Sequence, residues 1–299
     1  TYSDIDSLLA RRRFLLSNSN LYFTSSAGVY KMDAYNATPT LAGMYKGLDI
    51  QLALGADPGF LDEDNQAAYR VVWGIRDAQQ NLVLGAPSGR AVIINPSGAG
   101  GGNNITVTFT VPSGVTTSHF FQVYRSKASG GEDIEPDDEL GLIYENNPSN
   151  SDISNGYVSF TDATTDDLRG STIYTAPSQE GILQANERPP QAYDIEEFEG
   201  SIAYANTLSK HRKIFTILAV GGSGLVANDT LTIAGTVYTA KATETIASAE
   251  FKVFSSGTPS QNIADTANSL IRVINRYTSN TSVYAYYLSA PSDLPGQIL

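Results

Sequence analysis

Cysteine is absent from this 299-residue chain, tryptophan occurs once, and histidine and methionine occur twice each. The missing thiols exclude disulfides, thiolate zinc sites and cysteine nucleophiles. Neither histidine has a second histidine or a carboxylate at a metal-ligand spacing such as H-x-x-x-H. His119 abuts the alternating FFQVY pattern. His211 lies within Lys210-His211-Arg212-Lys213, whose positive charges oppose a further cation. Both read as structural residues. Cations are scarce too: 19 Lys and Arg against 31 Asp and Glu leave a net charge of -12. Such a chain is a poor candidate for gripping nucleic acid, because affinity for phosphate comes mainly from Lys and Arg. It can still face DNA without holding it. The basic tetrad at 210–213 reads as a charged turn between strands, with contact to DNA or an acidic neighbour as the alternative.

Long apolar runs are also missing. No stretch approaches the length of a membrane-spanning helix. Arg11-Arg12-Arg13 followed by Phe14-Leu15-Leu16 opens like a signal peptide, but Asn18, Ser19 and Asn20 break it at once. The chain opens at Thr1 and closes on Gln297-Ile298-Leu299, which reads as a strand cut off in progress, so a fragment of a longer protein is expected.

Catalytic signatures are absent as well. There is no G-x-S-x-G elbow for a serine nucleophile. The Gly-rich stretch 96–104 (PSGAGGGNN) is followed by the strand pattern ITVTFTV and carries no Gly-Lys-Ser/Thr, so it reads as a hairpin tip and not as a phosphate cradle. The acidic run 132–139 (EDIEPDDE) lacks a D-x-D-x-D-G frame, which leaves a solvated loop, with a loose calcium site as the alternative. The acids at 62–64 and 166–167 read the same way. Glu196, Glu197 and Glu199 flank Phe198 like a glycosidase pair, but sequence spacing cannot set two carboxylates across a cleft. No catalytic, metal-binding or cofactor-binding residue is assigned, no cofactor is expected, and the chain is expected not to be an enzyme.

What the chain does have is 17 Tyr, 26 Gly and abundant Ser, Thr and Asn. Thr, Tyr and Val fill half-buried strands, and Gly and Asn fill turns, so a mainly β fold is expected. Residues 1–16 read as a short helix with Ile5, Leu8 and Leu9 on one face. Residues 20–33 read as strand, Ser-Ser-Ala-Gly turn, strand, and 40–54 add two more apolar runs. These short strands, with a second such stretch at 193–220, resemble β-propeller blades. Between them, 68–77 (with Trp73), 81–88, 105–111, 119–125, 140–145 and 157–162 read as strands of an antiparallel sandwich. Trp73, VYRS at 123–126 and FTDATTDDLRGSTIYTAP at 160–177 resemble a fibronectin type III domain. Near the end, Leu231, Ile233, Val237 and Tyr238 alternate around an Ala234-Gly235 turn. Ile263, Ala267, Leu270, Ile271 and Ile274 then repeat at helical spacing after Thr258-Pro259-Ser260, which predicts one long helix at about 258–276. In Tyr284-Ala285-Tyr286-Tyr287 at least one ring should face outward, for core or subunit contact.

The expected organisation is therefore propeller-like platform strands at 1–60, a fibronectin-like sandwich at 61–178, platform strands again at 179–220, and a small α+β module at 221–299. The last module, with its pattern DTLTI-AG-x-x-YTA and a following amphipathic helix, resembles small modules of bacteriophage virion proteins. The nested order resembles the nozzle, or tail tubular, proteins of short-tailed phages, and PPQAYDIEEFEGSIAYANTLSKHRKIFT at 189–216 is the piece that matches their platform. That resemblance implies a virion protein in a ring, most often of six copies. It would contact tail adaptor and fibre proteins and pass genomic DNA during ejection. The alternatives are a glycan-binding tail spike or adhesin module, and a secreted enzyme whose catalytic residues lie outside this chain.

Overall fold

The computed structural model describes residues 12–178, 188–208, 213–280, 283–288 and 295–299. In chain order, Phe14–Ser17 (β1), Asn20–Ser25 (β2), Gly28–Met32 (β3) and Thr40–Leu41 (β4) form a four-stranded antiparallel sheet in that order. Leu48–Leu54 (β5), Asn65–Arg76 (β6), Leu82–Leu84 (β7), Ala91–Asn95 (β8), Ile105–Thr110 (β9), Phe120–Arg125 (β10) and Gly141–Asn146 (β11) follow. A short helix, Asn150–Asn155 (α1), precedes Tyr157–Asp162 (β12). Then come Gln191–Phe198 (β13), Ser201–Leu208 (β14), Phe215–Thr216 (β15), Thr230–Ile233 (β16), Thr236–Lys241 (β17), Glu250–Lys252 (β18), the helix Pro259–Arg276 (α2) and Gln297–Ile298 (β19). The protein is mainly β, with several sheets, none of them closed.

The chain divides into two compact units. The first gathers the described residues of three separate segments, 1–46, 73–86 and 183–211. Its β1–β4 sheet packs against the hairpin β13–β14 around Val29, Ala42, Ala192 and Ile195, with Leu15, Tyr22, Ile202 and Tyr204 against them. The two sequence stretches read as platform strands thus share one core. Two of the tight hairpins, β1–β2 and β13–β14, follow the turn chemistry that right-twisted strands favour. Asn18-Ser19 and Glu199-Gly200 each put two consecutive residues at positive φ. The end of β6 pairs with β7, and Asp77 caps the turn between them by accepting from the backbone N–H of Gln79 and Asn81 at 3.0 and 2.8 Å.

One expectation fails in this unit. The helix expected over 1–16 does not extend through 14–16, where Phe14, Leu15 and Leu16 lie in β1. The rest of that segment up to residue 11 lies outside the described residues. Pairing with β2 gives Leu15 a core to face, while Phe14 and Leu16 point out, and this period of two overrides a helical spacing of leucines.

The second unit comprises the described residues of 47–72, 87–182 and 212–299. In it β12, β9 and β5 form a three-stranded antiparallel sheet, and β11, β10, β6 and β8 lie in another. Side chains of the two sheets interlock: the rings of Phe109 on β9 and Phe121 on β10 meet edge to face at 5.1 Å, and Tyr144 on β11 stacks on Phe160 on β12 at 4.4 Å. Buried Ile105, Val107, Phe109, Val71 and Val123 fill the strands around them. β5, read from sequence as part of the first platform segment, pairs with β9 and belongs to this sandwich. Entry into β5 requires Gly47, because a Cβ there would lie 2.2 Å from the Val71 carbonyl oxygen and 2.6 Å from the Ser88 nitrogen.

The rest of the second unit matches its sequence closely. β16 and β17 form the expected hairpin, with Ala234 and Gly235 at positive φ in its turn. β18 adds in parallel to β17. Helix α2 begins where its sequence says, with the Thr258 side chain accepting from the Gln261 N–H at 3.3 Å and Pro259 next to the cap. It buries Ala267, Leu270, Ile271, Val273 and Ile274 against Tyr238, Ala240 and Phe251. No described helix is long and apolar enough to cross a membrane.

Candidate functional site

The acidic runs at 62–64 and 132–139 meet, with the Glu132 N–H donating to Asp64 at 3.2 Å, and their carboxylates serve loops. Glu63 accepts from the N–H groups of Gly98 and Gly100, the latter at 3.2 Å, and Glu132 accepts from Ser97 at 2.8 Å. Two carboxylates therefore hold the Gly-rich tip between β8 and β9. Glu135 and Asp138 pair with Arg90, the second at 3.1 Å, and Glu139 accepts from the N–H and hydroxyl of Ser178 at 2.8 and 2.7 Å. Among the described residues no group of three or more His, Asp or Glu side chains is placed to hold a metal ion. Glu196, Glu197 and Glu199 all lie exposed on the β13–β14 hairpin beside Phe198, not across a cleft. His119 serves a turn: its Nδ1 lies 3.1 Å from the Thr116 N–H and 3.0 Å from the Thr116 hydroxyl. Lys210, His211 and Arg212 lie outside the described residues. Of the tyrosine run, Tyr284 is partly exposed while Ala285 is buried.

Two clusters of buried charge exist; of their members sequence reading singles out only Asp166, as a solvated-loop acid, and here it pairs with the buried Arg125. In the first, Arg125 on β10 is wholly buried. It donates to Asp162 at 2.6 Å and to Asp166 at 2.9 Å, with its guanidinium 3.5 Å above the Phe60 ring. The Tyr69 hydroxyl donates to the same Asp162 oxygen at 2.9 Å, and Arg169 donates to the Arg125 carbonyl at 3.0 Å. Burial, and then the Asp162 charge, push the Tyr69 phenol well above its ordinary range, so it acts only as a donor. The pair is closed to solvent, with side-chain exposures of 0% and 1% for Arg125 and Asp162, so nothing can bind there. It ties β6, β10 and the end of β12 together.

The second cluster lies where α2 meets the sandwich. Arg276 closes the helix and sits 3.4 Å from Asp49 on β5, with both side chains nearly buried at 7% and 5% exposure. Arg276 also donates to the Thr110 hydroxyl at 3.0 Å, and that hydroxyl donates to Asp49 at 3.1 Å. One turn back, Arg272 donates to Glu244 at 2.6 Å. Burial pushes the Asp49 carboxyl up to about 6, although Arg276, Arg272 and the Thr110 and Gln51 donors pull the other way. A carboxyl near 6 is the kind of group that proton-transfer sites use, and structural ion pairs produce it as well. Here the carboxyl is nearly closed to solvent and engaged by Arg276, the Thr110 hydroxyl and Gln51, so the cluster reads as a mechanical joint between α2 and β5.

A shallow depression of about 160 Å³ lies over Arg70, Asp138, Leu140, Ile173, Thr175 and Pro177. Ligand sites usually need about 300 Å³ or more. What the surface does offer is strand edges and exposed apolar side chains: Phe14 and Leu16 on β1, Phe198 and Leu208 on the hairpin, and Ile214 and Leu218 near β15. In a comparison with models of known protein families, with curated proteins and with solved structures, none matches this chain.

Proposed function

We propose that this chain is a structural protein of a phage tail, one copy in a ring-shaped nozzle that gates and conducts DNA. The observation that carries the reading is the nesting. The first unit is assembled from three separated segments, and the second unit occupies the chain between and after them. That is how a platform decorated with inserted domains is built. The four-stranded antiparallel meander β1–β4 suits a propeller-like blade, the two facing sheets suit a fibronectin-like insertion, and the β16–β18 sheet with α2 suits the small virion-type module. Buried carboxylates engaged in joints, Asp162 with Arg125 and Asp49 with Arg276, support a mechanical role over a catalytic one.

In this role the net charge of -12 is an asset, since a lumen without cationic contacts lets DNA slide instead of sticking. Large β surfaces would serve the subunit contacts of the ring and the neighbouring adaptor and fibre proteins. The test is imaging of virions that carry the protein. Density in a ring of about six copies on the tail axis, at the DNA exit, supports the reading. Density off the axis, in spikes or on the capsid shell, would overturn the nozzle. Micromolar binding on a glycan array would move the assignment to a receptor-binding spike. Turnover of a polysaccharide or ester by the purified chain, abolished by one Asp or Glu change, would overturn the non-enzymatic reading altogether.

A further inference from the structure

We propose that the open edge of β14 accepts β1 of a second copy of this chain, joining the first unit of one copy to the first unit of the next. Among the described residues β14 pairs only with β13, and β1 only with β2. Each strand therefore points a row of N–H and C=O groups away from its partner, a template for another strand. Sheet edges in folded proteins are ordinarily blunted by Lys, Pro or inward-pointing charge. Neither edge has these: β14 reads SIAYANTL, free of charge throughout its eight residues Ser201–Leu208, and β1 reads FLLS. Asn206, at φ 51°, breaks the extended backbone and confines the regular edge of β14 to Ser201–Ala205, close in length to the four residues of β1.

The side chains complement each other as well. On β1 the outward residues are large, with Phe14 64% and Leu16 72% exposed. On β14 Ala203 and Ala205 are exposed and small, while Ile202 and Tyr204 pack on the core. Adding β1 to β14 sets large beside small on one face and lets Phe14 and Leu16 cover part of their surface against Ala203 and Ala205. Charge agrees with a parallel pairing. Arg13, which also holds Asp194 of its own chain at 2.9 Å, leads into β1, and the exposed Glu196 and Glu197 at the end of β13 and Glu199 in the turn stand beside the start of β14. Because the two edges differ, the contact is heterologous: every copy keeps one donor edge and one acceptor edge, and repetition gives a ring or a filament. The choice of a second copy over a foreign strand rests on the ring reading above.

Leu16→Lys and Ala203→Lys each place a charge on one edge at a position that is exposed in the folded chain, and unchanged thermal unfolding confirms that both variants fold. The wild-type chain is expected to associate with rising concentration in sedimentation velocity, and each variant alone is expected to lose that association. Mixing the two is expected to restore dimers and nothing larger, because the mixture offers one intact donor edge and one intact acceptor edge. A wild-type chain that stays monomeric up to its solubility limit, variants that associate like wild type, or a mixture that remains monomeric would each overturn the contact. These results are separate from the fate of the nozzle reading: off-axis density in virions sinks the nozzle and leaves a restored heterodimer standing, whereas failed mixing leaves an on-axis ring to be built through another surface.

Discussion

Asp49 and Asp77 are both buried carboxylates, and their surroundings move them in opposite directions. Burial pushes Asp77 up, but the Asn81 side chain and backbone donors, Lys31 at 3.5 Å and the Gln79 N–H together outweigh it and hold the group below its ordinary range. Its contribution to stability is therefore present above the unfolded value of about 3.8 and is lost as pH falls through the lower folded value. For Asp49 burial wins, and the folded value is about 6 against 3.8 unfolded. Between those two values the folded chain holds a proton that the unfolded chain does not, so stability rises as pH falls from about 6 to about 4. The full difference amounts to about 3 kcal/mol at most. The check compares wild type with Asp49→Asn by chemical denaturation across that window. The wild type should gain on the variant toward low pH, and parallel curves would show that Asp49 titrates as an ordinary carboxylate. Both members of this joint carry a signal in the sequence that is easy to pass over. Asp49 is the one charge in the apolar run LDIQLAL, and Arg276 ends the amphipathic repeat of α2 in phase with its buried face. Neither pattern names the partner, because 227 positions separate them and only the folded chain brings them together.

Elements were legible where local chemistry and tertiary packing agree. Helix α2 has a Thr cap, a Pro at its start and a buried face spaced at three and four residues, and all three survive in the structure. Thr258→Ala should cost about 1 kcal/mol, read as a lower midpoint in urea with unchanged slope. The hairpin turns at Ala234-Gly235 and after β2 were equally readable. Residues 14–16 were not, because a run of Phe and Leu with no strong propensity takes its period from whatever it packs on, and here that is β2. β8 is less legible: Ala91-Val92-Ile93-Ile94 is an apolar run stopped by Pro96, but four apolar residues in a row carry no period of two to mark a strand. Strand β6 alternates, and its tryptophan is wholly buried, although the segment 73–86 that carries it belongs to the first unit and not to the sandwich expected to enclose it. Trp73→Ala should cost about 3–5 kcal/mol, and a wild-type emission spectrum typical of a water-exposed indole would contradict the buried position.

At the scale of the whole molecule, the nested order of segments was legible only in outline, because sequence patterns mark where elements are and not which distant ones share a core. The two units differ in how much large apolar surface the described residues bury. The cluster that joins β1–β4 to the β13–β14 hairpin holds Val29, Ala42, Ala192 and Ile195, and the first unit further buries Phe23, Met44 and Trp73. The second unit buries Tyr69, Phe109, Phe121, Phe251, Leu61, Ile105, Leu140, Ile173 and Leu270 completely, and carries the Arg125–Asp162 and Arg276–Asp49 joints besides. Since apolar burial is the main favourable term and local opening follows its density, the hairpin and the β1–β4 sheet should open far more often than the sandwich. Hydrogen exchange followed by mass spectrometry checks this directly. Peptides covering 14–32 and 191–208 should exchange well before those covering 105–125 and 157–162, under conditions where the chain stays folded. If β1 and β14 pair between copies, protection at those two strands alone should rise with protein concentration while the sandwich peptides do not change. Equal protection of both units at low concentration would mean that the small core is reinforced by contacts other than those that define it here, and the edge-pairing proposal would lose its most direct signature.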